Sequence, residues 1–170
     1  MNAASPAIAP PRLVLRATTA ADLMIPNPLS LREDAAVQEA VVFLVEKGYS
    51  AAPVIDKAGR PVGVLSRADI VVHDREKIEY VGAYRQYAGT AGAPEPLGRG
   101  FQVENVDPAR VRDVMTPVVF SVNPETPVQR VVENLLRQRV HRLFVVDGAG
   151  VLVGVISTVD VLRHLHAEEE

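Results

Sequence analysis

The chain has 170 residues, 48% of them apolar and 23% charged, the composition of one ordinary globular domain or of two small ones that share a core. A formal net charge of −3 excludes a broad basic field for nucleic acid, and the absence of cysteine excludes disulfides, thiolate metal sites and a cysteine nucleophile together. No apolar stretch approaches the ~20 residues needed to cross a bilayer as a helix, so the expectation is a soluble, cytoplasmic protein.

Residues 1–17 open the chain as an Ala- and Pro-containing tail. They show no basic start followed by an apolar run of the secretory kind. From there the chain repeats itself. With Asp22 set on Asp113, residues 22–70 fall on 113–161 without a gap, and 17 of the 49 pairs are identical. Random pairing would give only a handful, so this is an internal duplication.

Each copy carries the same order of elements. In the first, Val37, Ala40, Val41, Leu44 and Val45 recur at helical spacing, and Gly48 stands where that helix should stop. In the second, Val128, Val131, Val132, Leu135 and Leu136 form the same stripe. Its start is predicted from Thr126 as cap, Pro127 at the first helical position and Gln129 completing a capping box. A short apolar strand follows each helix, at 52–55 and 143–146. An Asp-x-Ala-Gly turn comes next, at 56–59 and 147–150, and then a second strand, at 62–65 and 151–156. Two strands joined by a short Gly-containing loop read as a hairpin. A further helix starts near Arg67 and near Thr158. The fold class is therefore α/β (α+β), two tandem units of about β-α-β-β-α. Neither unit can bury a good core alone, and the expectation is one globule with pseudo-two-fold symmetry. The units are placed at 18–72 and 107–166. An insert, 73–106, lies between them and reads as a surface excursion or, alternatively, a lid or partner-binding arm. An acidic tail, 167–170, ends the chain.

These repeats resemble the CBS domain, named after cystathionine β-synthase and usually found in tandem pairs called Bateman modules. The residues that carry the resemblance are Asp-Leu-Met-Ile-Pro (22–26) with Asp-Val-Met-Thr-Pro (113–117), and Ala-Pro-Val-Ile-Asp (52–56) with His-Arg-Leu-Phe-Val-Val-Asp (141–147). Gly-Val-Leu-Ser-Arg-Ala-Asp (63–69) and Gly-Val-Ile-Ser-Thr-Val-Asp (154–160) complete the set. The resemblance implies a regulatory module that binds AMP, ADP, ATP or a related adenosyl ligand in clefts between the two repeats. It further implies a homodimer that transmits occupancy to an effector protein. No resident cofactor is implied, though Mg²⁺ can accompany a polyphosphate.

The residue types suit that chemistry. A helix N-terminus after a strand exposes unpaired N–H groups to a phosphate, Ser66 adds a hydroxyl, and Arg67 adds charge. Asp69, one turn along, can accept bonds from both hydroxyls of a ribose. Ser157, Thr158 and Asp160 stand in the same places in the second copy. From the resemblance, the base lies against Ser50 and Ala51 in one copy and His141 and Arg142 in the other, with Thr116, Pro117 and Val119 nearby. Small Ala51 leaves room for a flat base, whereas Arg142 makes its cleft charged. The alternative stays open: Ser-x-x-Asp is also a capping box that needs no ligand, and the chain would then be a ligand-free dimeric scaffold for a partner. Arg110, Arg112, Arg130, Arg137, Arg139 and Arg142 are interleaved with acids and read as a solvated face rather than a nucleic-acid surface. The histidines show no zinc-ligand spacing. No nucleophile elbow or phosphate-loop motif is present, and His73 is the only local base for Ser66, so no catalytic role is expected.

Overall fold

The computed structural model describes residues 12–75 and 108–168. The sequence expectations for 1–11, for 76–106 of the insert and for the last two residues lie outside the described residues. The chain forms two compact units, and they do not follow the order of the repeats. One is Leu29–Val119; the other combines Met1–Pro28 with Phe120–Glu170.

In the Leu29–Val119 unit, strand β3 (Leu31–Arg32) leads into helix α2 (Val37–Glu46). Strands β4 (Ala51–Ile55) and β5 (Pro61–Ser66) follow, and then helix α3, described over 67–75. β3 runs parallel to β4, and β4 is antiparallel to β5. The hairpin turn closes on Asp56, whose Oδ1 accepts from the N–H groups of Ala58 (2.8 Å) and Arg60 (2.9 Å). The other unit repeats this arrangement with β6 (Ser121–Val122), α5 (Val128–Gln138), β7 (Arg142–Val146), β8 (Leu152–Ser157) and α6 (Thr158–Arg163). Asp147 holds its turn through Ala149 and Val151, both at 2.9 Å.

The short segment at the head of each repeat is built into the body of the other. Helix α1 (Ala20–Leu23) and strand β2 (Ile25–Pro26), from the first repeat, pack on second-repeat elements. β2 pairs antiparallel with β8, Ile25 opposite Val155 and Pro26 opposite Gly154. Helix α4 (Val111–Val114), from the second repeat, joins the body of the first, and Thr116 bridges Val64 with backbone bonds of 2.9 and 3.0 Å. The exchange is tight at two glycines. Gly154 lies under Met24, and Gly63 lies under Met115 and the Thr116 carbonyl, so a side chain at either position would collide.

The cores record the same exchange. Leu31, Ala40, Leu44, Ala52, Val54 and Leu65 of the first repeat bury Val111 of the second. Val122, Val131, Leu135, Leu143, Val145 and Ile156 of the second repeat bury Ala20 and Leu23 of the first. Removing each of these larger side chains from water contributes about 1.5–3 kcal/mol. The helical stripes are narrower than their sequence spacing implies, for Val45 and Leu136 are 65% and 73% exposed.

The start of α5 corrects the sequence reading. Helix α5 begins at Val128, and Pro127 is its cap, with extended ψ of 140° and no side-chain cap bond. Thr126 Oγ1 instead accepts from the N–H of Asn123 at 3.0 Å. The first helical N–H, that of Val128, goes to the carbonyl of Thr18 at 2.9 Å, as the N–H of Val37 in α2 goes to that of Ala109 at 3.2 Å. The exchanged segments thus supply the caps that side chains would otherwise provide. A further pair, β1 (Leu13–Leu15) with β9 (Leu165–Ala167), is antiparallel.

Candidate functional site

The repeated Asp at the head of each unit is local machinery. Asp22 Oδ2 accepts from the hydroxyl of Thr18 (2.7 Å), the N–H groups of Thr18 and Thr19 (both 2.9 Å) and the hydroxyl of Thr19 (3.2 Å). These bonds, the Thr18 hydroxyl first, hold its carboxyl well below the usual carboxylate range. Asp113 accepts from the N–H of Arg110 at 2.8 Å.

The two Ser-x-x-Asp boxes sit where a strand passes into a helix. At the end of β5, Asp69 Oδ2 accepts from the N–H (2.8 Å) and hydroxyl (2.6 Å) of Ser66, and the Ser66 hydroxyl accepts from the N–H of Asp69 at 3.2 Å. Ser157 and Asp160 repeat this at the end of β8, with 2.8, 2.6 and 3.3 Å. Both boxes are therefore complete helix caps.

Around Asp69 the fold gathers most of the residues singled out for that copy. Ala51 is paired with Ser66 across the hairpin, and the N–H of Arg67 donates to the Ser50 carbonyl at 3.0 Å. Arg67 Nη2 donates to the Leu44 carbonyl at 3.2 Å, so the guanidinium lies at the C-terminal end of α2, a favourable place for a cation. Thr116, brought in by the exchange, donates its hydroxyl to Asp69 Oδ1 at 3.3 Å. The Cα of Pro117 approaches Gly63, and Val119 is half-buried two residues on.

Around Asp160 the fold gathers the second set. Arg142 is paired with Ser157, and the N–H of Thr158 donates to the His141 carbonyl at 3.1 Å. Asp160 is itself buried at 4% exposure. Two neighbours here escaped the sequence reading. Ile25, in β2, occupies the place that Thr116 holds beside Asp69, and Arg163 Nη1 donates to Asp160 Oδ1 at 3.2 Å. The repeat register would have found Ile25, and the three-residue helical spacing from Asp160 would have found Arg163. His164, the last-turn cap of α6, places Nδ1 2.8 Å from the Asp160 carbonyl, whereas His166 lies in β9. Among the described residues, no group of three His, Asp or Glu side chains could hold a metal ion, and no helix is long and apolar enough to cross a membrane.

Comparison with known proteins agrees with this architecture. The gamma-3 subunit of the 5'-AMP-activated protein kinase of Bos taurus is 29% identical over 133 residues, 78% of this chain but 23% of the subunit. The chain thus spans about a quarter of that relative's length. The crystal structure of CBSX2 in complex with AMP matches with a TM-score of 0.62 and 27% identity, covering 86% of this chain and 95% of that one. The crystal structure of the cytosolic domain of the Mg²⁺ channel MgtE in complex with ATP matches with a TM-score of 0.59 and 26% identity, covering 86% and 48%. The family model for the CBS domain matches twice, at residues 20–76 and 111–167. With two repeats of one architecture, each bearing its own Ser-x-x-Asp box at a strand-to-helix turn, the chain belongs to the CBS domain family.

Proposed function

We propose that the chain is a non-catalytic regulatory module that binds an adenosine nucleotide and passes its occupancy to a partner protein. The observation that carries this reading is the convergence of residues from both repeats on one carboxylate. Asp69 meets Ser66 of its own repeat and Thr116 of the other. A ribose diol donates to the outer oxygen of Asp69, in the place of the Thr116 hydroxyl. The phosphate lies at the start of α3, met by Arg67 and by the Ser66 hydroxyl, which turns from Asp69 Oδ2 to donate to it. The base lies beside Ser50, Ala51, Thr116, Pro117 and Val119. Ser157, Thr158, Asp160, His141 and Arg142 form the second candidate site. The AMP and ATP in the crystal structures of CBSX2 and MgtE support an adenosine ligand. Because occupancy must favour one of two states to be transmitted, the module acts on a partner that distinguishes them. It works as a homodimer in the cytoplasm.

One observation favours a second reading. Both Ser-x-x-Asp boxes close as caps with no ligand, so the chain can equally be a ligand-free scaffold. A thermal-shift panel separates the two, with AMP, ADP, ATP, S-adenosylmethionine and NADH, each with and without Mg²⁺. A ligand at ~100 times its Kd stabilises by about 2.7 kcal/mol, which in a chain of this size raises Tm by roughly 5–11 °C. The nucleotide reading expects such a rise with an adenosine ligand, and its loss when D69N and D160N are combined. A flat response across the panel, with partner capture indifferent to nucleotide, supports the scaffold.

A further inference from the structure

The two boxes are alike at one carboxylate oxygen and differ at the other. Oδ2 takes the serine N–H and hydroxyl in both. At Oδ1, Asp69 receives the neutral hydroxyl of Thr116 at 3.3 Å, whereas Asp160 receives the guanidinium of Arg163 at 3.2 Å. Two differences between the repeats account for this. The counterpart of Thr116 is Ile25, which has no donor. The counterpart of Arg163 is Val72, 56% exposed on α3, which has none either.

The Asp160 side chain is 6% exposed and that of Arg163 is 68% exposed. A buried carboxylate must have its oxygens satisfied, and Arg163 satisfies Oδ1 of Asp160 from its own helix. A ribose diol arriving at Asp160 has to displace the guanidinium of an ion pair, charged at both donor and acceptor, whereas the bond it meets at Asp69 is charged at the acceptor alone. At Asp69 it displaces only a hydroxyl that rotates freely and can turn to meet the ligand.

We infer that Arg163 is a built-in competitor that closes the Asp160 site, so that the chain takes its nucleotide at Asp69. The inference rests on the nucleotide reading above and adds which carboxylate is used and which side chain decides it. The pairing also makes the two boxes unequal by design: Asp160 with Arg163 serves α6 as a neutralised cap, and Asp69 with Thr116 remains open to exchange.

The test is isothermal titration of the full chain with AMP, and in parallel with ATP and Mg²⁺. Wild type is compared with D69N, D69N/R163V, D69N/R163Q and V72R, and each unliganded Tm is recorded so that a misfolded variant is recognised. R163V places on α6 the residue that the first repeat already carries at that point of α3, and R163Q keeps length while removing charge. The expected result is one site per chain, weakened at least 10-fold in D69N. Binding is then recovered at least 5-fold over D69N in D69N/R163V and D69N/R163Q, and V72R weakens the Asp69 site by a similar factor. If wild type binds through Asp69 but neither Arg163 variant recovers binding, the inference fails and the nucleotide reading stands. If Arg163 variants weaken binding further, Arg163 is a ligand contact, and the inference is overturned. If neither nucleotide binds to wild type or to any variant, the nucleotide reading fails and the inference falls with it.

Discussion

The exchange of head segments makes a quantitative prediction at two glycines. A Cβ added at Gly63 lies 2.7 Å from the Thr116 carbonyl oxygen, 2.8 Å from Met115 Sδ and 3.3 Å from the Pro117 Cα. Favourable carbon contacts lie near ~3.5–4.0 Å, so at least the first two must open by most of an ångström. The Thr116 carbonyl is fixed, because it accepts from the N–H of Val64 at 3.0 Å. Overpacking costs about 1–3 kcal/mol, and straining that bond adds about 1 kcal/mol. G63A should therefore lose about 2–4 kcal/mol, or roughly 4–16 °C in Tm. The three atoms nearest a Cβ at Gly154 all belong to Met24: its Sδ, and its Cβ and Cγ at 3.0 Å. G154A should cost about 1–3 kcal/mol, and shortening Met24 should remove most of the clash. The assay is urea denaturation of G154A, M24A and the double variant, and of G63A, M115A and their double. The first cycle should show the double variant less destabilised than the sum by about 1–2 kcal/mol, the size expected of residues in contact. The second should recover less, since the Thr116 carbonyl remains. The crossed pairs, M24A with G63A and M115A with G154A, should add. Coupling in the crossed pairs, with additivity in the direct ones, would refute the exchange and place each head segment on its own repeat.

Two further predictions follow from backbone geometry and titration. Gly48 and Arg139 are equivalent residues just past α2 and at the end of α5, and both are left-handed, with φ of 67° and 54°. A Cβ at Gly48 meets nothing within 4 Å, so the effect is conformational alone. G48A should cost about 1–2 kcal/mol, whereas R139G should gain up to about 1 kcal/mol, both read from thermal unfolding; equal effects of one sign would contradict the helix ends. Asp22 titrates below the usual carboxylate range, so its contribution is complete above about pH 4 and declines as pH falls through and below that point. Wild type should therefore lose stability more steeply than D22N below about pH 4, and the two should differ most near neutrality. Parallel pH profiles would remove Asp22 from the account.

Much of this architecture is legible in the residues because the repeats state it twice. The Asp56 and Asp147 turns and both Ser-x-x-Asp boxes stand where local spacing puts them, since each depends on neighbours within four residues, whereas the stripes of α2 and α5 are buried only in part, Val45 and Leu136 facing out. The β1–β9 pair gives no such signal. Leu13 and Val14 are exposed, and the partner strand lies at the far end of the chain. The exchange is hidden for a different reason. Met24 and Met115 are the same residue, as are Gly154 and Gly63, so either head segment satisfies either body, and the pattern cannot tell one pairing from the other. Thr126 carries a capping pattern that α5 does not use, since the carbonyl that meets its first N–H comes from Thr18. Where the repeats diverge, the divergence itself carries information. Ile25 cannot donate to Asp160, and Val72 cannot donate to Asp69. Each carboxylate is completed from the side the other has lost, Asp160 by Arg163 within its own helix and Asp69 by Thr116 from the other repeat. The paired loss and gain of donors keeps one oxygen of each carboxylate partnered, as the buried Asp160 requires. It leaves the Asp160 box completed within its own helix and the Asp69 box completed by the segment that the second repeat contributes to the Leu29–Val119 unit.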